Sequence, residues 1–429
     1  MSCSGYDFGR WHCNGYLLSL TLTLCSLQAR RLTTITAKIL HQISEIAAHE
    51  WDACNAARPY TPFLSHKFLN ALEVSGSVST ATGWQPFHLV VEEDQHIIGV
   101  VPMYLKNHSQ GEYVFDYGWA DAWQRAGGNY YPKMQISVPF TPATGPRLLT
   151  KKPGAAHERL LLDAAMQVAE QVEVSSIHLT FMEQGQWQTA AEAGFLKRLD
   201  QQFHWHNGGY VDFDDFLSAL ASKKRKNIKR ERRDALATGI TIEWVTGAEI
   251  NETHWDAFYR FYTDTGSRKY GSPYLTREFF SIAGQVMPED ILLIMAKREG
   301  RYIAGAINFI GQETLFGRNW GCIEDHPFLH FEVCYYQAID FAINRGLKKV
   351  EAGAQGGHKI ARGYLPQATY SAHWIADANF REAVSRFVDD ERRYVTADIA
   401  HVEAHTPFKA STDLDQLRAF DLQTRPTNT

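Results

Sequence analysis

Cysteine is scarce and poorly placed for staples. The chain has six in 429 residues, and no two form a C-x-x-C pair. Cys3, Cys13 and Cys25 crowd into the first 32 residues, whereas Cys54, Cys322 and Cys334 stand far apart. Neither a disulfide framework nor a thiolate zinc site is supported, and a reducing cytoplasm fits best. Long apolar runs are missing too. The nearest, YLLSLTLTLCSL from Tyr16, is rich in Ser and Thr and falls short of the roughly 18–20 residues that span a bilayer. Only Arg10 precedes it and no clear A-x-A site follows, so export is not expected, and residues 1–32 read as a disordered extension. None of the eighteen histidines falls in an H-E-x-x-H motif, and no metal is expected. No G-x-S-x-G elbow occurs, which removes one common serine nucleophile.

What is present is a globular composition, 45% apolar and 13% aromatic, long enough for two or three domains. The formal net charge is −5, yet eight of the eleven residues from Lys223 to Arg233 are basic and only Glu231 is acidic. Concentrated charge of this kind attracts phosphate-bearing ligands. Asp212, Asp214 and Asp215 suit the start of a helix, and Phe216, Leu220, Asn227, Ile228, Ala235 and Leu236 recur roughly at helical spacing until Gly239. One helix over residues 206–239 is therefore expected, with Lys224, Arg225, Lys229, Arg232 and Arg233 projecting outward. The alternative is a solvated face without a ligand.

The order of elements repeats. Trp51-Asp52-Ala53 returns as Trp255-Asp256-Ala257, PFLSHKFL from Pro62 as PYLTREFF from Pro273, and the hairpin His88–Leu105 as Ile291–Ile310, with Gly305 standing where Gly99 stood. Agreement in order over several elements points to a duplication: an α/β lobe over 33–205, the basic connecting helix over 206–239, a second lobe over 240–405, and a tail over 406–429. Each lobe runs helix, helix, antiparallel hairpin, further strand, helix, strand.

That order resembles the acyltransferase lobe of the GCN5-related (GNAT) superfamily, and two such lobes in tandem resemble the FemAB-like peptidoglycan aminoacyltransferases, with mixed sheets flanked by helices. SKKRKNIKRERRDALATGITIEW is similar to the signature at which the second FemAB lobe begins. LFGRNWGC, HFEVCYYQAIDFAINRGLKKVEAGAQGGHKIARGYLP and SAHW resemble a bacterial FemAB-like subfamily of predicted N-acyltransferases. The resemblance implies transfer of an acyl or aminoacyl group from an anionic carrier, aminoacyl-tRNA in the FemAB type, to an amine such as a cell-wall precursor, lipid-linked or soluble. No tightly bound cofactor is implied. Acyl-CoA is the competing donor, but Glu324-Asp325-His326-Pro327-Phe328-Leu329 before the second-lobe helix holds no glycine to cradle a pyrophosphate and carries two acids. A non-catalytic RNA-binding module and a scaffold with decayed sites are the non-enzyme alternatives.

The richest polar cluster is EAGAQGGHKIARGYLP from Glu351. A strand over 349–352 would deliver Glu351 to its end, where α/β folds place sites, and Gln355, His358, Lys359 and Arg362 are expected to converge there. Lys359 and Arg362 could neutralise a phosphate or oxyanion, and Glu351 or His358 could take a proton from an amine. Lys359 is also similar to a lysine that FemAB enzymes place near this turn. Glu332 and Tyr336 share a helix face at i,i+4, with Glu332 a further catalytic candidate that Arg318 could pair. Arg318 and Trp320 on the facing strand, and Tyr270 in a loop read as a lid, complete the substrate-binding set. Asn227 joins Lys224, Arg225, Lys229, Arg232 and Arg233 as the carrier-binding set.

Overall fold

A computed structural model describes residues 20–24, 33–268, 273–353 and 356–419. The strands among them are, in chain order, β1 (Leu20–Leu24), β2 (Thr33–Leu40), β3 (Trp84–Pro86), β4 (His88–Glu93), β5 (His96–Val101), β6 (Met103–Lys106), β7 (Lys133–Ile136), β8 (Leu149–Thr150), β9 (Ser176–Met182), β10 (Leu196–His206), β11 (Thr241–Thr246), β12 (Ile291–Arg298), β13 (Arg301–Ile310), β14 (Thr314–Cys322), β15 (Lys349–Glu351) and β16 (Leu365–Ile375). β1, inside the stretch expected to be a disordered extension, pairs antiparallel with β2.

The duplication is visible in the backbone. Hairpins β4–β5 and β12–β13 each carry a bulge beside a glycine pairing, Gly99 with Val91 and Gly305 with Met295. A Cβ on Gly99 would lie 2.8 Å from the Leu149 carbonyl, so a side chain there would force the neighbouring strand aside. Each half then has one parallel pair, β7 with β9 and β14 with β15. Beyond these pairs the halves exchange strands. β10 of the first half pairs with β15, β16 of the second half pairs with β9, and β10 and β16 pair with each other over Leu196–His204. The result is one continuous sheet in the order β11-β12-β13-β14-β15-β10-β16-β9-β7-β6-β3; β1, β2, β4, β5 and β8 form a second, smaller one.

Among the described residues four apolar cores occur, a small one of which packs Trp119 and Tyr130 on Phe380, Val384 and Val388; the other three hold the layers. One packs helix Ala155–Gln171 on the first half, another packs helix 329–344 on the second, and the third joins the halves. In the joining core Trp51 and Trp255, the two copies of the repeated tryptophan, are both buried, and Phe63 meets Phe309 and Phe316 with ring centroids 5.2 and 5.0 Å apart. Complete burial of Ile291–Ala296 explains why β12 reads as an apolar run without alternation.

The basic segment departs from expectation. It is two helices, Phe213–Ser218 and Ser222–Leu236, with an extended residue, Ala221, between them. The tail pairs with the backbone at the break: the Ala221 N–H bonds the Pro407 carbonyl and the Lys409 N–H bonds the Ala219 carbonyl. As expected, Asp212 caps the first helix, its side chain accepting from the Asp215 N–H.

Candidate active-site cleft

The cleft arises where two parallel strands stop pairing. β14 and β15 pair only over Thr314–Phe316, after which β15 ends at Glu351 while β14 continues to Cys322. The gap is a cleft of about 90 Å³, lined on the strand side by Arg318, Asn319 and Trp320 and on the helix side by His330, Cys334 and Tyr335. Two irregularities shape it. Gly317 pairs with Asn308 and Asn319 with Ile307, so Arg318 is the extra residue of a bulge, which turns its side chain out of the regular alternation. Opposite, the helix widens to an i→i+5 turn over Glu332–Tyr336, between Leu329–Phe331 and Gln337–Asn344, a feature that often accompanies sites. A Cβ on Gly321 would meet the Phe261 carbonyl at 2.1 Å, so this glycine lets helix Glu252–Arg268 lie directly on the cleft strand.

Arg318 donates to the Phe140 carbonyl, which belongs to the first half. Burial pulls its guanidinium below the ordinary range, against the opposing pull of Tyr113, Tyr262 and Glu351 nearby. Trp320 packs on His330 with ring centroids 5.3 Å apart. The Tyr335 hydroxyl lies 2.9 Å from Nε2 of His358, which is exposed at the rim. Burial, with Arg362 and Lys359 close by, lowers the pKa of His358. Lys359 is almost completely buried and donates to the Gly353 carbonyl at 2.8 Å; burial pushes its ammonium down to about 8. Gly353 and Gly356, at φ of +77° and +119°, permit the turn that brings it there.

Several expected site residues are used elsewhere. Glu332, expected to move a proton or to pair with Arg318, is fully buried and held by Arg232 (Nη2–Oε1 2.9 Å) and by Gln337 (2.7 Å). Arg232, expected to project outward, also reaches Asp340 at 2.7 Å; burial opposes its charge, but these two carboxylates raise its pKa. The Tyr336 hydroxyl donates to Glu231, and Arg362 donates to the same carboxylate at 2.9 Å while its guanidinium lies 3.4 Å from the centre of the Phe331 ring. Lys229 and Arg233 pair with Asp214 and Asp234. Glu351 turns to the sheet face opposite the cleft helix. Burial works against its ionisation, yet Lys349 at 2.7 Å and His204 hold its carboxyl below the ordinary range. Glu351, His358, Lys359 and Arg362 therefore do not converge on one point: His358 reaches the cleft only through Tyr335, Lys359 holds the turn at Gly353, and Arg362 helps to clamp the basic helix. Asn227 is half-buried on that helix beside Lys224 and Arg225. Gln355 and Tyr270 lie outside the described residues.

The chain matches the FemAB-like family, described by peptidoglycan biosynthesis/recognition, over residues 42–410. The chain belongs to that family. No curated protein matches this FemAB-like chain. Among solved structures it is similar to that of FemX, with 13% identity, 79% of this chain and 98% of that chain covered and a TM-score of 0.52, which establishes the tandem GNAT-like fold. The structure of L-PGS from Bacillus licheniformis aligns with 9% identity, 77% and 98% coverage and a TM-score of 0.47.

His330, Cys334 and Tyr335 border the cleft without having been singled out, because on a helix among Phe331, Val333 and Ile339 they read as core. The one available signal was their spacing: 330 and 334 stand at i,i+4 on one helix face. His401 and His405 also stand four apart, ring centroids 4.6 Å from each other, at the end of helix Ala378–Glu403. Among the described residues no group of three His, Cys, Asp or Glu is arranged to hold a metal, and no helix is long and apolar enough to cross a membrane.

Proposed function

We propose that this FemAB-like protein is an N-acyltransferase that moves an aminoacyl group from a tRNA ester to an amine of a cell-wall precursor, at the cleft between β14 and β15. The observation that carries this is the parting of two parallel strands beside a bulged arginine in a chain of this family. The amine attacks the ester carbonyl carbon, the tetrahedral oxyanion forms beside the Arg318 guanidinium, and as it collapses the bond to the carrier's ribose oxygen breaks, that oxygen leaving as a hydroxyl with the proton the amine gave up, returned from His358 through Tyr335. The proton lost by the amine passes to the Tyr335 hydroxyl and on to His358, whose lowered pKa keeps its imidazole neutral and ready to accept. Lys359 fixes the turn through Gly353, and the Phe140 carbonyl orients Arg318.

Acyl-CoA is a poorer donor here. In the loop before the cleft helix Glu324 is held by Arg298 at 2.9 Å and by His326 at 3.0 Å, and the Leu329 N–H is used by the His326 carbonyl. That helix start offers a carboxylate where a pyrophosphate would need free N–H groups. Equilibrium binding of acetyl-CoA and of charged tRNA to the full chain, followed by single-turnover transfer to a muropeptide amine, tests the reading. Saturable binding of acetyl-CoA with none of charged tRNA would overturn it.

A further inference from the structure

The cations of helix Ser222–Leu236 fall into two sets with different tasks. The C-terminal set is anchored: Arg232 is pinned by Glu332 and Asp340, and Glu231 ties Arg362 and Tyr336. The helix is thereby clamped to the wide turn that borders the cleft. The other set is Lys223, Lys224, Arg225, Lys226 and Arg230. Among the described residues none of these five has a carboxylate partner, although Asp214 and Asp234 are used by their neighbours. Lys223, Lys226 and Arg230 are exposed at i, i+3 and i+7 and so form one stripe, flanked by the half-buried Lys224 and Arg225. From Lys223 to Arg230 the stripe runs about 10 Å along the helix at ~1.5 Å per residue. Five like charges held together repel one another, which a fold tolerates where a ligand's charge relieves them.

We infer that this stripe is a docking rail for the phosphodiester backbone of an RNA, held in fixed register to the cleft by the Arg232–Glu332 and Glu231–Arg362 clamps. The inference rests on the transferase reading, which places an RNA carrier's end in the cleft. An anionic membrane would also meet a basic stripe, but a helix lying on lipid needs an apolar face to insert. Here the apolar residues of the helix, Ile228, Ala235 and Leu236, pack on the protein's own core, and the exposed stripe carries none.

The test uses the full chain and deacylated tRNA, with affinity measured at several salt concentrations. In the triple variant Lys223→Ala/Lys226→Ala/Arg230→Ala the slope of log affinity against log salt is expected to fall by about 3, and affinity by about tenfold or more. A Lys223→Arg/Lys226→Arg/Arg230→Lys variant should keep both. An unchanged slope and affinity in a triple-alanine variant with an unchanged melting temperature would overturn the rail. So would loss of binding to phosphatidylglycerol vesicles while tRNA binding stays intact. The two proposals fail separately. Transfer from charged tRNA that ignores the triple variant removes the rail and leaves the transferase; stripe-dependent tRNA binding without transfer removes the transferase and leaves the rail.

Discussion

The two places where parallel strands part are framed alike and finished differently. In the first half β7 and β9 separate after Ile136 and Leu179, and the chain returns into the opening. The Gly145 N–H bonds the Phe181 carbonyl, and Arg147, 1% exposed, gives Nε to the Thr180 carbonyl at 2.8 Å and Nη2 to that of Ala143 at 2.7 Å. Its Nη1 serves the Gly145 and Pro146 carbonyls. In the second half Arg318 donates to the Phe140 carbonyl and borders an open cleft. A guanidinium saturated by its own chain is a plug, whereas one beside an opening is available to a ligand. Duplication supplied two frames, of which one is filled by its own chain and the other holds a cleft. The sealed segment is also tied to the other half: Phe140 accepts from Arg318, and the Thr144 N–H lies 3.4 Å from the Glu351 carboxylate.

Substituting each arginine should separate the roles. Arg318→Ala is expected to lower kcat/KM for transfer by about a thousandfold, the scale of losing a preorganised oxyanion partner, while the melting temperature changes little. Normal transfer by that variant would mean the open cleft is not the reacting site. Arg147→Met should do the reverse. Stranding several buried carbonyls costs about 3 kcal/mol, read as a lower midpoint in urea, with kcat of the folded fraction preserved. A large loss of kcat at full stability would give the first half a catalytic share.

Smaller effects sharpen the picture. Glu332→Gln weakens the clamp to Arg232 but leaves Asp340 in place, so a loss of about 2 kcal/mol of stability is expected. If Glu332 carried the proton instead, kcat would collapse with stability intact. Lys359 gives a signal read only in the pH dependence of stability. Its ammonium titrates near 10.5 when unfolded and near 8 when folded, so in that window the unfolded chain binds more protons. Stability should therefore rise with pH from about 8 to 10.5, and Lys359→Met should flatten that rise in pH-dependent chemical unfolding.

Much of the fold was legible because it was written twice. The tryptophan, the hairpin glycine and the order of elements recur, and a second copy turns weak local signals into a pattern. Exchange of the closing strands was not legible, since β10 and β16 read the same whichever neighbour they pair with. At the site, Arg318 and Trp320 stood out as polar and aromatic residues on an otherwise apolar strand. The bulge that aims Arg318 depends on register against β13, which no single strand encodes. Glu332 misled for a physical reason: a carboxylate on an apolar helix looks poised for chemistry until its partner is known, and that partner, Arg232, lies 100 residues earlier. The basic helix was legible as charge, but which cations are free depended on the acids that folding brought to it.

Because each half lends the other its last strand, neither can be lifted out as a module. A chain cut between His206 and Ser222 would leave β15 and β9 as raw edges, inviting aggregation. Both halves should therefore melt in a single cooperative step, and the half whose opening is sealed cannot be discarded, since the sheet that carries the open cleft would unravel with it.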